Sequence, residues 1–286
     1  MNLRDLSLPP GWFPRSRAEI ERFLEPFAGG GLSLASAMAP HAGWYYSGIP
    51  AAIAVSSLDA EAETVAIVGG HLPRGMPILQ AGEDGVRTPL GVMPIDAELR
   101  AAFSTRIRAR PDSYEDNTVE ALLPMVHYFF PKACLLWLRF PADLSSFEAG
   151  KLLADAASSL GKKIAVLAST DLTHYGPNYG FSPHGRGRPA LEWVMKVNDA
   201  AFIRAVLEGN PSRVLERAES DRSACSAGAA LGALGFAASL KGGRGNAQAR
   251  LLDYRSSADA GKEPDEELPD DEVPDSFVGY AAMALG

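Results

Sequence analysis

Short, continuously apolar segments alternate along the chain with segments whose apolar residues recur at helical spacing. Uninterrupted apolar runs of this length are typical of strands buried on both faces of a parallel sheet. The predicted strands are Leu32–Met38, Thr64–Val68, Ala133–Leu138, Lys163–Ser169, Ala249–Tyr254 and Phe277–Leu285. The predicted helices are Arg17–Phe27, Ile49–Leu58, Ala97–Arg108 with Asp96 as its N-cap, Thr118–Phe129 with a break at Pro124, Ser145–Leu160, Leu191–Leu207, Pro211–Arg217 and Cys225–Leu240.

This alternation predicts an α/β fold, a three-layer α/β/α sandwich with a mainly parallel central sheet. Ile78–Ala81 and Gly85–Gly91 are predicted to form a hairpin beside that sheet. The sequence has no internal repeat and no linker composition, so residues 1–286 are expected to form a single domain.

The net charge of −8 is concentrated in one segment, because nine acids and one base lie between Asp259 and Asp275. That segment also carries three prolines, so it is predicted to be a solvated, mobile loop. The remaining chain is near neutral and has no basic face, which argues against nucleic-acid binding.

No apolar run approaches the roughly 20 residues that a membrane-spanning helix needs. The N-terminus does not show a basic segment followed by an apolar one, so no signal peptide is predicted. The two cysteines, Cys134 and Cys225, are far apart in sequence and do not suggest a disulfide framework. A cytoplasmic protein is therefore expected.

Three of the five histidines, His41, His71 and His174, follow predicted strands. The carboxyl ends of strands in open α/β sheets commonly carry the chemistry, although a histidine there can also simply pack a loop. Cys225 begins a predicted helix, where a thiolate is favoured as a nucleophile or a metal ligand. The alternative is a small buried residue in an alanine-rich helix. Asp171 can either orient an imidazole or cap a turn.

Six motifs, in order along nearly the whole chain, resemble those of the Memo family, also called AmmeMemoRadiSam system protein B. They are Gly11-Trp12-Phe13-Pro14, Pro40-His41-Ala42-Gly43 with Tyr46-Ser47-Gly48, Arg87-Thr88-Pro89-Leu90-Gly91, Ser169-Thr170-Asp171-Leu172-Thr173-His174-Tyr175-Gly176, Asp253-Tyr254-Arg255-Ser256-Ser257 and Val278-Gly279-Tyr280-Ala281-Ala282. The resemblance implies a fold like that of the class III extradiol dioxygenases.

The resemblance also implies a mononuclear metal site with His41, His71 and Cys225 as ligands. His174 falls where the related dioxygenases keep an acid/base histidine, and Asp171 precedes it as a second catalytic candidate. Three ligands on one side leave positions open for O₂ or a substrate, and a thiolate favours iron(II), copper(I) or zinc over magnesium or calcium. Iron(II) is the expected metal, with copper or zinc as alternatives.

The chain departs from the family pattern around this site. Val68-Gly69-Gly70-His71 is one residue shorter than the family's segment before its second histidine. Asp116-Asn117-Thr118 stands where the family has Glu-His-Ser, and Glu120 is retained. Ser226-Ala227-Gly228-Ala229-Ala230 replaces the family's Gly-x-x-Pro-Ile after the cysteine. Such changes around the ligands commonly weaken metal affinity or activity.

Three functions remain open on this basis. The first is a metal-dependent, dioxygenase-like oxidoreductase, which would bind a small molecule or peptide in the cleft at the strand ends. The second is a catalytically inactive binding or accessory protein that works with a radical-SAM partner protein. The third is a hydrolase or transferase in which Cys225 is a nucleophile activated by His174.

Overall fold

The computed structural model describes residues 1–29, 31–240, 249–262 and 268–285. The strands are β1 Leu3–Arg4, β2 Ser36–Ala39, β3 Thr64–Leu72, β4 Ile78–Gln80, β5 Gly85–Thr88, β6 Gly91–Pro94, β7 Ala109–Pro111, β8 Cys134–Pro141, β9 Ile164–Ser169, β10 His174–Tyr175, β11 Arg250–Ser256 and β12 Phe277–Ala284. The helices are α1 Arg17–Leu24, α2 Trp44–Ser56, α3 Ala97–Ser104, α4 Asn117–Glu120, α5 Leu123–Phe129, α6 Ser145–Ser159, α7 Arg188–Trp193, α8 Asp199–Leu207, α9 Pro211–Ser220 and α10 Ala227–Leu240.

The main sheet is mixed, whereas the sequence predicted a mainly parallel one. Its strands lie in the order β10-β12-β2-β9-β3-β8-β4-β7, and β11 pairs with β12. The central strands β2, β9, β3 and β8 are mutually parallel. On either side of them, β12 and β4 run antiparallel to their inner neighbours. The parallel centre brings the carboxyl ends of four strands to one edge, and this is where His41 and His71 emerge.

The hairpin predicted over residues 78–91 is wrong in its pairing. β4 joins the main sheet, between β7 and β8. The hairpin is instead formed by β5 and β6, which make a separate three-stranded sheet with β1. The signal for β6 was weak because Val92 is exposed and only Met93 of that strand is buried.

Helices cover both faces of the central strands, and β3 shows how the sequence achieves this. Val65 and Ile67 pack into one apolar cluster with residues of α1, α2 and α5. Ala66 and Val68 pack into another with residues of α6, α8 and α10. Successive side chains of a strand point to opposite faces, so an unbroken apolar run has two buried faces.

Two helix boundaries differ from the prediction because tertiary contacts override local signals. α2 begins at Trp44, five residues before the predicted start, and it contains Pro50 within the helix. Trp44 is buried, its ring centroid lies 5.2 Å from that of Phe23, and its Nε1–H donates to the Ala121 carbonyl. These contacts fix the early start.

The long helix predicted over Leu191–Leu207 is divided by a π-helical turn at Val194–Asn198. The last predicted helix begins at Ala227, so Cys225 lies in the segment before α10. Asp96 caps α3 as expected, since its side chain accepts a hydrogen bond from the Leu99 N–H.

The acidic segment is only partly solvated. Residues 263–267 lie outside the described residues. In the described part, Leu268 and Val273 are buried in a cluster with Tyr175 and Phe277. Arg186 forms an ion pair with Asp275 at 2.9 Å. Apart from Val273, the residues from Pro269 to Asp275 are exposed, and the mobility of the segment stays a prediction.

Among the described helices, none has the length and apolarity that crossing a bilayer requires.

Candidate metal centre

The topology brings two of the predicted ligands together at the carboxyl ends of two parallel strands. His41 follows β2 by two residues, and His71 is the penultimate residue of β3, with only β9 between these strands. His71 adopts a left-handed backbone conformation, with φ of 56°. A non-glycine residue in this region costs free energy, so the surrounding contacts must hold the His71 backbone in place.

Cys225 completes a group of three metal-binding side chains. One ligand atom from each of His41, His71 and Cys225 lies within 4.8 Å of the other two. Cys225 Sγ is 3.3 Å from His41 Nε2, and the two imidazole rings are perpendicular with centroids 5.1 Å apart. Two ligands bound at ~2.0–2.3 Å to one tetrahedral ion lie about 3.3–3.6 Å apart. The donor set and the closest spacing therefore fit a single transition-metal ion.

The ring of His41 is held so that Nε2 points to the sulfur. His41 Nδ1 lies 2.8 Å from Ser169 Oγ. The Ser169 hydroxyl donates its one proton to the Thr118 carbonyl, so Ser169 Oγ must accept from the His41 Nδ1–H. This leaves the Nε2 lone pair of neutral His41 free to bind a metal.

His71 is backed by a charged network instead of a hydroxyl. His71 Nδ1 lies 3.0 Å from Asp116 Oδ2, which also accepts from Arg139 Nη2 at 3.0 Å. Arg139 is buried, donates to the Gly70 carbonyl at 3.0 Å and contacts Asp112 at 3.3 Å. Burial would raise the pKa of Asp116, but its bonds to His71 and Thr118 and the charge of Arg139 lower this pKa to about 2. Asp116 is therefore a permanent anion beside the ring.

The three candidate ligands share their protons in the metal-free chain. Burial would raise the pKa of the Cys225 thiol, but His41 and His71 hold it well below its usual range. Burial would lower the pKa of His71, but Asp116 and Cys225 raise it to about 10. Burial would also lower the pKa of His41, but the charges of Asp171 and Cys225 raise it above its usual value. These shifts favour a Cys225 thiolate beside a protonated His71, and a bound metal ion would displace such protons.

Cys225 does not open α10, as the sequence predicted, because that helix begins two residues later. The sulfur instead lies 3.3 Å from the Asp171 N–H, which can donate to a thiolate. The Cys225 N–H in turn donates to the Asp171 carbonyl at 3.2 Å. Neighbouring imidazoles and one backbone N–H thus supply the stabilisation that the helix dipole was expected to give.

Asp171 contacts the candidate ligands, whereas His174 lies outside their group. Asp171 is buried beneath the ligands, where Oδ1 accepts from the His41 N–H at 2.7 Å. Burial raises the pKa of Asp171, and the charges of His41 and His174 oppose that rise. His174 is half-buried outside the three-residue group, and its Nδ1–H donates to the Leu172 carbonyl at 3.1 Å. Nε2 is then the atom of His174 that can accept a proton.

Gly70, directly before His71, lets β3 approach the segment that carries Cys225. A Cβ atom on Gly70 would lie 2.4 Å from the Ser226 Cβ, which is too close for a real contact. Asn117, at the family's histidine position, donates from Nδ2 to the His41 carbonyl at 3.2 Å. The departures from the family pattern are therefore part of the packing around the ligands.

Sequence reasoning missed two residues that support the ligands, Arg139 and Ser169, as well as Asp112, which contacts Arg139, and it gave Asp116 no role. A signal was present for Arg139, because a charged residue inside the apolar run of β8 needs a buried partner. Ser169 and Asp112 offered no comparable signal. Their roles depend on contacts between residues far apart in sequence.

Comparisons with known proteins identify the family of this chain. The family model described as "Memo-like protein" matches residues 4–284. A MEMO1 family protein of Pyrococcus abyssi is 30% identical, with 96% of each chain covered. A second, of Methanosarcina mazei, is 30% identical over 86% of this chain and 84% of its own. A solved structure of the uncharacterized protein JW3007 from Escherichia coli K12 covers 86% of this chain and 99% of its own, at 14% identity and a TM-score of 0.47. The match along nearly the whole chain shows that this protein belongs to the Memo-like family.

Proposed function

We propose that this protein binds one transition-metal ion through His41 Nε2, a ring nitrogen of His71 and Cys225 Sγ, within a sandwich fold related to that of the class III extradiol dioxygenases. The single observation that carries the proposal is the mutual approach of the three ligand atoms within 4.8 Å. The mixed nitrogen and sulfur donors suit iron(II), copper(I) or zinc, with iron(II) as our first assignment.

A bound ion with only three protein ligands keeps open positions and supplies Lewis-acid or redox chemistry to a small molecule or peptide held in the cleft. The residues of the chain itself would do the rest. His71 is partly exposed, with 33% of its side chain accessible, so the centre is approached from its side. Asp171 holds the His41 backbone, and His174 Nε2 would accept or return a proton. We therefore favour a dioxygenase-like oxidoreductase of the cytoplasm.

Metal analysis of untagged protein tests the binding proposal. We expect about one equivalent of metal in the wild-type chain and in Cys134→Ala, the matched variant of the other cysteine. Cys225→Ala should lose at least tenfold in metal affinity. Equal metal content in all three proteins would reject Cys225 as a ligand.

A second candidate, a cysteine-dependent hydrolase or transferase, is favoured by the 3.3 Å separation of Cys225 Sγ and His41 Nε2. The histidine in contact with the thiol is His41, whereas the sequence suggested His174. A thiolate beside an imidazole is an activated nucleophile. Iodoacetamide labelling at pH 6 separates the candidates: labelling of Cys225 that added metal blocks supports the metal centre, and labelling indifferent to metal supports the nucleophile.

An accessory role beside a radical-SAM partner protein is the third candidate, motivated by Asn117 at the family's histidine position. Asn117 can donate and accept hydrogen bonds but has no ring to protonate. Metal-dependent O₂ consumption by the isolated protein would count against this role, and metal binding with no turnover would favour it.

A further inference from the structure

A fully buried carboxylate lies outside the metal centre and has no part in the proposed chemistry. Asp199, the first residue of α8, is completely inaccessible to solvent. Its Oδ1 accepts from the Thr173 N–H at 3.1 Å and also from the Thr173 hydroxyl. Its Oδ2 accepts from the Tyr254 hydroxyl at 2.7 Å. None of these partners is a cation.

The helix that carries Asp199 is distorted at this point so that two consecutive residues reach Thr173. The π-helical turn Val194–Asn198 ends immediately before Asp199. Asn198 Nδ2 donates to Thr173 Oγ1 at 2.9 Å, and that hydroxyl donates onward to Asp199. A π-helical turn is a rare, locally strained conformation that is frequent at functional sites. Here it concentrates two side chains on one threonine.

Keeping this carboxylate in place is costly. A buried carboxylate without a cationic partner loses its hydration and regains only the hydrogen bonds it accepts. Burial raises the pKa of Asp199 to about 7 in spite of the hydrogen bonds from Thr173 and Tyr254. Strand β12 leaves room for the Asp199 side chain at Gly279, because a Cβ on Gly279 would lie 1.9 Å from Asp199 Oδ2. Only a glycine at position 279 leaves space for the Asp199 side chain.

Thr173 belongs to the segment that supports the candidate ligands. Two residues earlier, Asp171 accepts from the His41 N–H and directs its own N–H at Cys225 Sγ. Thr170 Oγ1 accepts from the Ser226 N–H at 3.1 Å. One residue later is His174. The Thr173 carbonyl is held by the Gly279 N–H of β12 at 3.1 Å, and Asp199 holds the Thr173 N–H and hydroxyl.

We propose that Asp199 is a positioning residue of the metal centre. It clamps Thr173 and thereby fixes residues 170–174, which place Asp171 under His41 and Cys225 and carry His174. This inference rests on the proposed metal site. Asp199 makes no contact with the three ligands and acts on them only through this segment.

The test compares Asp199→Ala with Asp199→Asn and with a matched control, Asp96→Ala. Asp96 is also buried and also accepts from a backbone N–H and a threonine hydroxyl, those of Leu99 and Thr64, but its cation is Lys162, beside α3. The first readout is the dissociation constant for Zn²⁺, measured by chelator competition. The second is the ring NMR signals of His174 in metal-free protein, assigned with His174→Gln.

We expect Asp199→Ala to raise the Zn²⁺ dissociation constant at least tenfold and to shift or broaden the His174 signals. The Zn²⁺ dissociation constant of Asp199→Asn, which keeps an acceptor for Thr173, should stay within threefold of the wild-type value. The constant of Asp96→Ala should also stay within threefold, although this variant should have a lower melting temperature. If Asp199→Ala does not fold, Thr173→Val provides the same test, because valine is nearly equal to threonine in size. This variant should also raise the Zn²⁺ dissociation constant at least tenfold.

Unchanged Zn²⁺ affinity and unchanged His174 signals in both Asp199→Ala and Thr173→Val would overturn the proposal. A wild-type chain that binds no Zn²⁺ would instead refute the metal site. The His174 signals of the metal-free variants then decide by themselves whether Asp199 positions the segment.

Discussion

At the scale of single residues, the two candidate histidine ligands differ in what stands behind them. His41 donates to the neutral hydroxyl of Ser169, while His71 lies against the Asp116 carboxylate. A carboxylate behind a metal-binding imidazole orients the ring and increases its basicity more than a hydroxyl does. His71 is the more exposed ligand and has the strained backbone. We infer that metal binding by His71 depends more on Asp116 than metal binding by His41 depends on Ser169.

Asp116→Asn should therefore weaken metal binding by about 10- to 100-fold, the usual cost of losing such a support. The variant keeps the size of the side chain but removes the charge beside His71 Nδ1. Isothermal titration of the metal-free protein with Zn²⁺ measures the effect.

Asp112→Asn is the control for that experiment. Asp112 touches the same arginine, Arg139, but does not touch His71. The Zn²⁺ affinity of Asp112→Asn should stay within threefold of the wild-type affinity. If both variants bind Zn²⁺ equally well, the carboxylate is not supporting the ligand.

At the scale of elements, glycines set how closely α10 can lie against α6. A Cβ on Gly235 would stand 1.9 Å from the Phe147 carbonyl oxygen, and one on Gly150 would stand 1.9 Å from the Gly232 carbonyl oxygen. Backbone atoms cannot move aside as a flexible side chain can, so these positions exclude any larger residue. The alanine- and glycine-rich sequence of α10 is explained by this contact.

Gly235→Ala is expected to destabilise the fold by about 1–3 kcal/mol, the usual range for overpacking a core. Urea unfolding followed by circular dichroism gives the free energy of unfolding. Ser239→Ala, at an exposed position of the same helix, should change it by less than about 0.5 kcal/mol. Equal stabilities for the two variants would mean that the helices can move apart without cost.

The sequence predicted elements well where one residue pattern decides them. The central strands were found because apolar runs without polar interruption have few alternatives, and the Asp96 cap was found because capping is local. The early start of α2, the π-helical turn and the pairing of β4 were missed because they depend on distant contacts. The Trp44 contact with Phe23 and the Asn198 contact with Thr173 are examples.

The same division applies to the candidate site. Strand-end histidines and the family motifs were sufficient to nominate His41, His71 and Cys225. The residues that support these ligands are far from their contacts along the chain. Arg139 lies 23 residues after Asp116, and Ser169 lies 128 residues after His41. No local pattern connects such residues, so only the folded chain reveals them.

At the scale of the whole molecule, Asp199 should make stability depend on pH. Its pKa is raised to about 7 from the ordinary value of 3.8. The folded state then holds a proton that the unfolded state has released, so this group lowers the free energy of unfolding as pH rises from about 4 to about 7. The full effect is on the order of 4 kcal/mol.

Asp199→Asn removes that contribution while keeping an oxygen that accepts from Thr173, and its NH₂ group can donate to the Tyr254 hydroxyl oxygen. The variant should therefore become more stable relative to the wild type as pH rises from 4 to 7. Above pH 7 the difference between their free energies of unfolding should stay constant. Urea unfolding at several pH values provides the measurement. A difference that is constant with pH would show that Asp199 is not protonated in the folded state near pH 6.

The most direct test of the proposed centre is X-ray absorption at the metal edge of freshly isolated, untagged protein. A centre formed by His41, His71 and Cys225 should show one sulfur neighbour at ~2.3 Å and two imidazole nitrogens at ~2.0–2.1 Å, with the sulfur signal absent from Cys225→Ala. A spectrum fitted by oxygen and nitrogen neighbours alone, unchanged by that substitution, would contradict it.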